Sequence, residues 1–158
     1  MSAKIARHLE GRSPSALYET DFYAWTVQQR AALEKASASE LDWAALAEEI
    51  GDLENEVFNA LRSSFRIILV HLLKWDHRPE RRSRSWVASI RSHRQEVADI
   101  LARSPSLRSR QDEAVEGAYR RARIEAAGEM DRPERSLPPS CPYSLDDILK
   151  RPVSWPDE

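Results

Sequence analysis

RIILVHLLKWDHRPERRSRSW, residues Arg66 to Trp86, is the stretch that decides the fold of this chain. Its first half is strongly apolar and carries His71 and Trp75 at helical spacing. Pro79 ends that pattern, because proline lacks the amide hydrogen that an α-helix requires. Arginines follow, and a second amphipathic pattern begins near Trp86. The stretch therefore predicts two helices joined by a short turn.

The pattern of the first of these helices extends far upstream. Apolar or small residues recur every three or four positions from Trp43 to Trp75, at Leu46, Ile50, Leu53, Val57, Leu61, Ser64, Ile68 and His71. This spacing predicts one helix from Asp42 to Asp76, about 52 Å long at 1.5 Å per residue. Gly51 is the expected weak point of such a long helix.

Two further helices flank this one in the sequence. The earlier one is predicted from Thr20 or Asp21, either of which can cap it, to Ala36. Its expected inner face consists of Phe22, Trp25, Gln29 and Leu33. The later one is predicted from Arg82 or Ser83 to Ala102, with an inner face of Trp86, Ile90, His93, Val97 and Ile100.

A fourth helix is predicted after the break at Ser104-Pro105-Ser106 and ends near Met130. It carries a ridge of small residues at four-residue intervals, Ala114, Ala118, Ala122 and Ala126, which permits close helix packing. A tail with six prolines follows, and within it Ser144 to Lys150 is predicted to form a short capped helix.

The predicted fold class is all-α: an antiparallel helical bundle of about four main helices plus a short C-terminal helix in a proline-rich tail. Only four glycines occur, and hydrophobic residues make up 41% of the chain, which suits a helical globular protein. We expect one domain over residues 1–158. Residues 1–16 would be a flexible N-terminal segment, and residues 131–158 a tail that docks on the bundle.

The composition of the chain indicates the cellular compartment in which the protein is expected. The longest apolar run, Ile67 to Leu73, is seven residues, whereas a membrane-spanning helix needs about 20. The N-terminus has no apolar signal-peptide core, and the single cysteine, Cys141, cannot form an internal disulfide. We therefore expect a cytoplasmic protein that does not enter a membrane.

Positive charge is concentrated in the middle of the chain. Residues 78–110 carry 9 basic and 3 acidic side chains, whereas residues 1–77 carry 8 and 12, and residues 111–158 carry 7 and 11. A candidate binding patch therefore consists of Arg78, Arg81, Arg82, Arg84 and Trp86, extended by Arg91 and Arg94. The alternative is internal pairing with the acidic residues of the second or fourth helix. Nucleic acid is the less favoured partner, because the sequence pI is near 6.1.

A metal site is the alternative to the basic patch as the functional site of this chain. In an antiparallel hairpin Trp75 is expected opposite Trp86, with His71 about one turn from His93. With Glu116 of the fourth helix, the two imidazoles would form a partial site for a divalent transition metal. No H-x-x-x-H or H-E-x-x-H spacing supports it, so two hydrogen-bonded core histidines are the simpler interpretation. The sequence also lacks a glycine-rich phosphate loop, a G-x-S-x-G elbow and a C-x-x-C pair.

Six short segments, in this order, resemble the bacterial DUF29 family. They are YETDFYAW (18–25), LDWAALAEEI (41–50), HLLKW (71–75), PERRSRSW (79–86), SPSL (104–107) and CPYSLDDIL (141–149). The resemblance implies an α-helical protein. Since the family has no assigned activity, it implies no catalytic residue.

Two classes of function follow. The first is a non-enzymatic helical interaction protein that binds a partner protein or forms a homo-oligomer. The second is a small helical-bundle metal-binding protein or hydrolase that uses His71 and His93. The balance of motifs favours the first, and we expect no catalytic site.

Overall fold

The computed structural model describes residues 20–35 and 43–155, apart from the side chains of residues 43–45. Within these ranges the chain forms five α-helices, four of them long, and no β-strand. The prediction of an all-α fold is therefore confirmed. Residues 1–16, predicted to be a flexible segment, lie outside the described ranges.

The α-helices are α1 (Phe22–Leu33), α2 (Trp43–His77), α3 (Arg84–Arg103), α4 (Gln111–Glu129) and α5 (Leu145–Lys150). Short 3-10 turns, Pro79–Arg81, Pro105–Arg110 and Glu134–Ser136, lie between them. Pro79 and Pro105 each begin one of these turns. The prolines thus separate the helices where the sequence predicts, because each fits a first turn but cannot continue a preceding helix.

Helix α2 is a single 35-residue element that continues through Gly51 without interruption. A β-carbon built on Gly51 would lie 3.2 Å from Cδ of Arg30 in α1. The glycine therefore makes room for the Arg30 side chain, a role that the sequence pattern did not predict.

The chain divides into two compact units, and both are assembled from separated parts of the sequence. The first comprises residues 1–59 and 100–109, and the second comprises residues 60–99 and 110–158. The boundary therefore falls within both α2 and α3.

In the first unit, the buried Asp21 joins α1 to the turn after α3 through hydrogen bonds. It is only 7% exposed, caps α1 by accepting from the Ala24 amide at 3.1 Å, and accepts from the Ser106 amide at 2.7 Å. The buried face of α1 consists of Tyr23, Ala24, Thr26 and Val27. The predicted inner face of Phe22, Trp25, Gln29 and Leu33 is wrong, because these four side chains are only half-buried.

The second unit contains the larger described core. Leu61, Phe65, Ile68, Leu69, Leu72 and Leu73 of α2 are fully buried, as is Ile90 of α3. All four alanines of the predicted ridge on α4 are buried. Short side chains on one face let a helix approach its neighbours closely, which explains why α4 packs well despite few large apolar residues.

The tail also contributes to the second unit. Ser144 and Asp147 form a reciprocal capping box at the start of α5, and Ile148 is fully buried. Side chains on α2 and α3 bind this part of the tail. None of the described helices is long and apolar enough to cross a lipid bilayer.

Candidate functional site

Two arginines of the predicted basic patch are bound to backbone carbonyls. Arg78 donates to the carbonyl of Met130, at the end of α4, and lies 3.5 Å from Glu80. Arg82 donates to the carbonyl of Trp75 at 2.9 Å, and its guanidinium lies 4.6 Å from the centre of the Trp75 ring. The last carbonyls of a helix lack intrahelical partners, so these cations satisfy them and complement the helix dipole.

Arg94 makes the most extensive contact of this type. Its guanidinium donates to the carbonyls of Asp147, Ile148 and Arg151 at 3.1, 2.8 and 2.9 Å. Burial lowers the pKa of Arg94, and the nearby charge of Arg151 lowers it further. This arginine therefore anchors the last turn of α5 to α3.

The remaining members of the predicted patch are Arg81, Arg84, Arg91 and Trp86. The three arginines are exposed, whereas Trp86 is half-buried. Arg78, Arg82 and Arg94 bind backbone carbonyl groups, which the sequence could not indicate, rather than the acidic residues of the second or fourth helix.

The Trp86 ring lies over the C-terminal half of α2. Its centre is 6.3 Å from that of the His71 ring and 4.4 Å from Nζ of Lys74. Lys74 is only 7% exposed, and its ammonium binds Glu129 of α4 at 2.5 Å. The hairpin of α2 and α3 is thus present, but the predicted pairing of Trp86 with Trp75 is wrong by about one helical turn.

His71 and His93 are both half-buried. The Nδ1 atom of each is buried and has no hydrogen-bond partner in the described chain. Burial lowers the pKa of His71, and the neighbouring Lys74 and His93 lower it further, against the opposing effect of Glu129 and Glu125. His71 is therefore held in its neutral form at neutral pH.

The three predicted metal ligands do not come together as a metal site. Among the described residues, no group of three or more His, Cys, Asp and Glu side chains is arranged to hold a metal ion. Glu116 lies instead on an exposed face of α4, at a groove of about 410 Å³ that the tail also lines. Cys141 lines the same groove, and burial raises the pKa of its thiol, which disfavours the reactive thiolate.

Asp76, at the end of α2, holds the tail from a second direction. Its carboxylate accepts from the hydroxyl of Tyr143 at 2.8 Å and from the guanidinium of Arg151 at 2.9 Å. Burial alone would raise the pKa of Asp76, but these two donors hold it below its ordinary value. The same contact and burial raise the pKa of Tyr143 far above the usual range, so the phenol remains a donor.

The N-terminal half of α2 presents a different surface. Leu46 and Leu53 are each 41% exposed, although both belong to the stripe of apolar residues that predicts this helix. Glu49, Asp52 and Glu56 are exposed on the adjacent side of the helix. Within the described chain, no hydrogen bond or ion pair joins these three carboxylates to another residue. We call these five residues the α2 contact face.

A cleft of about 440 Å³ lies beside this face, between α1 and α2. Its lining includes Arg30, Glu34, Glu48, Asp52 and Asn55. Arg30 binds Glu34 at 3.0 Å and lies 3.5 Å from Glu54. The charge of Arg30 is thus already balanced, so acidic groups dominate the remainder of the cleft.

One comparison with known proteins gives a match. The family model described as domain of unknown function DUF29 matches residues 17–153. This chain belongs to the DUF29 family. Neither the curated proteins nor the solved structures give a match.

The characteristic DUF29 segments of this chain meet one another in the structure. Asp21 of the first segment binds Ser106 of the fifth, and Trp75 of the third accepts from Arg82 of the fourth. Tyr143 of the last segment binds the aspartate that directly follows the third. In these contacts, residues of the six segments join parts of the chain that are distant in sequence.

Proposed function

We propose that this DUF29 protein is a non-enzymatic helical interaction protein of the bacterial cytoplasm that binds a partner protein through the α2 contact face. The exposure of Leu46 and Leu53, 41% each, is the observation that carries the proposal. The two leucines are seven residues apart, so they lie on one side of the helix about two turns from each other. Large apolar side chains grouped at a surface are typical of protein interfaces.

Three arginines of the predicted basic patch are less suited to binding a partner. Arg78, Arg82 and Arg94 already bind carbonyls of the second unit, so using them for a partner would break contacts within the fold. In the part of the chain that the structure describes, no group of three or more His, Cys, Asp and Glu side chains is arranged to hold a metal ion. The side chains of the α2 contact face are exposed, and its carboxylates are unpaired within the described chain. A partner can therefore bind them without breaking a contact within the fold.

Photo-crosslinking in the native host tests the proposal. A photoreactive amino acid replaces Leu46 or Leu53 in separate variants, and Ile124 in the control. Ile124 is a suitable control because it is 59% exposed on α4, outside the contact face. We expect the same discrete crosslinked protein from positions 46 and 53 and no such product from position 124. No product at positions 46 and 53, or an identical one at all three positions, would overturn the proposal.

The mass of the crosslinked product also identifies the class of partner. A product of the mass of two copies of this chain would make the partner a second copy. A product of another mass, identified by its peptides, would make the partner a different protein. In either case the α2 contact face is a protein-binding surface.

A further inference from the structure

We infer that the partner segment recognised by the α2 contact face is a basic amphipathic helix of another protein. This inference rests on the proposed function and adds the chemistry of the ligand. Its basis is the combination of an exposed apolar row, an acidic row beside it and an acidic cleft.

The apolar row matches the spacing of a helix. Leu46 and Leu53 lie about 10 Å apart along the helix axis, at 1.5 Å per residue. The half-buried Ile50 and Val57 lie at the intermediate spacing of the same stripe. An amphipathic helix places apolar side chains at positions i, i+3, i+4 and i+7, so two turns of it can cover this row.

The acidic row lies parallel to the apolar one. Glu49, Asp52 and Glu56 follow each other at intervals of three and four residues, which places them on one side of α2. Between residues 43 and 61 the sequence contains five acidic residues and no lysine or arginine. Like charges at this spacing repel one another, so a basic partner would remove a repulsion as well as add attractions.

The adjacent cleft extends the negative surface. Asp52 belongs both to the acidic row and to the cleft lining, together with Glu48. Arg30 is held by Glu34 and Glu54, so it leaves these two carboxylates available. A long lysine or arginine side chain of a partner helix can enter this volume of about 440 Å³ and bind there.

The negative charge of the α2 contact face favours a basic helix over other possible binding partners. Nucleic acids and anionic membrane surfaces carry negative charge and are repelled by this row. A second copy of the chain would place its own glutamates against these glutamates if the same faces met. A partner with apolar residues on one side and lysines or arginines beside them satisfies both rows at once.

Peptide binding to the full chain tests the inference. The probe is a fluorescent 18-residue amphipathic peptide of leucine, alanine and lysine, and the comparison peptide has glutamate in place of every lysine. We expect the lysine peptide to bind, with an affinity that falls as salt rises, and the glutamate peptide not to bind. Fluorescence anisotropy measures both.

Matched variants show whether the face itself is responsible. The triple variant Glu49→Gln, Asp52→Asn, Glu56→Gln is expected to weaken binding of the lysine peptide by at least about ten-fold. The control Asp112→Asn, Glu116→Gln removes two carboxylates from α4 that are exposed, and it should leave the affinity unchanged. Equal loss in both variants, or no loss in the triple variant, would overturn the inference.

The two proposals fail in different ways. If crosslinking at positions 46 and 53 gives a partner but the lysine peptide does not bind, the interaction function stands and the basic-helix inference is wrong. If the crosslinked product is a dimer of this chain, the inference is also wrong. If neither experiment gives a specific result, both proposals are wrong.

Discussion

The two halves of α2 obey the same sequence periodicity but meet very different surroundings. In the C-terminal half, six large apolar residues are fully buried, and residues of α3, α4 and the tail all contact it. In the N-terminal half, Ala47 is the one side chain described as buried, and two leucines of the same stripe are exposed. Periodicity therefore determines which residues share a side of a helix, whereas burial depends on what packs there.

The charged groups of the two halves differ in the same way. Arg66 and Lys74 of the C-terminal half bind Glu125 and Glu129 of α4. Glu49 and Glu56 of the N-terminal half have no such partner within the described chain. One half of the helix thus serves the core of the second unit, and the other half has side chains available for binding.

The largest expected loss of stability comes from replacing a core residue in the C-terminal half of α2. Phe65→Ala should lower the free energy of unfolding by about 3 to 5 kcal/mol, because the ring is fully buried and its removal leaves a cavity. Equilibrium unfolding in urea measures this change. A loss below about 1 kcal/mol would mean that the C-terminal half of α2 is not the core element described above.

The next largest expected loss of stability comes from removing the side chain that anchors the tail. Arg94→Met removes the guanidinium that binds three carbonyls at the end of α5, and we expect a loss of about 2 kcal/mol because those carbonyls would lose their partner. Hydrogen exchange at residues 144–151 should increase strongly. Arg121→Met, at an exposed position on α4, is the control, and similar exchange in the two variants would contradict the anchoring role.

The third expected effect is a pH dependence of stability that arises from the half-buried His71 in the C-terminal half of α2. Burial and then Lys74 lower the pKa of His71, whereas in the unfolded chain this group titrates near pH 6.5. The unfolded state therefore binds more protons just below that pH, so stability is complete above about 6.5 and declines as the pH falls. Urea unfolding between pH 5 and 7.5 should show a smaller decline in His71→Gln than in the parent chain. The same decline in both would show that another group causes it.

The smallest expected effect is on the exposed half. Leu53→Ala should change the free energy of unfolding by less than about 0.5 kcal/mol, because exposed positions contribute little to folding. The crosslinking and peptide experiments are expected to respond to this position although stability does not. A loss of 2 kcal/mol or more would indicate that Leu53 is part of the core and would remove it from the contact face.

The helices were predictable because their signals are local. Prolines 79 and 105, the alanine ridge of α4 and the Ser144 cap are each read from a few neighbouring residues, and the structure contains all of them. The inner side of α1 was not predictable from the same information. Aromatic residues occur on both sides of that helix, and only the packing of the first unit places Tyr23 inside and Trp25 at the margin.

The candidate site was less predictable because its contacts are distant in sequence. Arg94 binds carbonyls more than fifty positions away, and a backbone carbonyl leaves no signature in the sequence. The exposed leucines did have one indirect signal. The segment around them contains five acidic residues and no basic one, a composition more typical of a surface than of a core helix.

The interleaved origin of the two units has a consequence for synthesis on the ribosome. Asp21 emerges early, but Ser106, to which it binds, emerges only after residues 60–99 of the second unit. The first unit therefore cannot be completed before most of α2 and α3 has left the exit tunnel. A nascent chain that pauses before residue 100 would hold Asp21 without this partner, and cutting the gene between residues 59 and 60 would separate the first unit from its own residues 100–109.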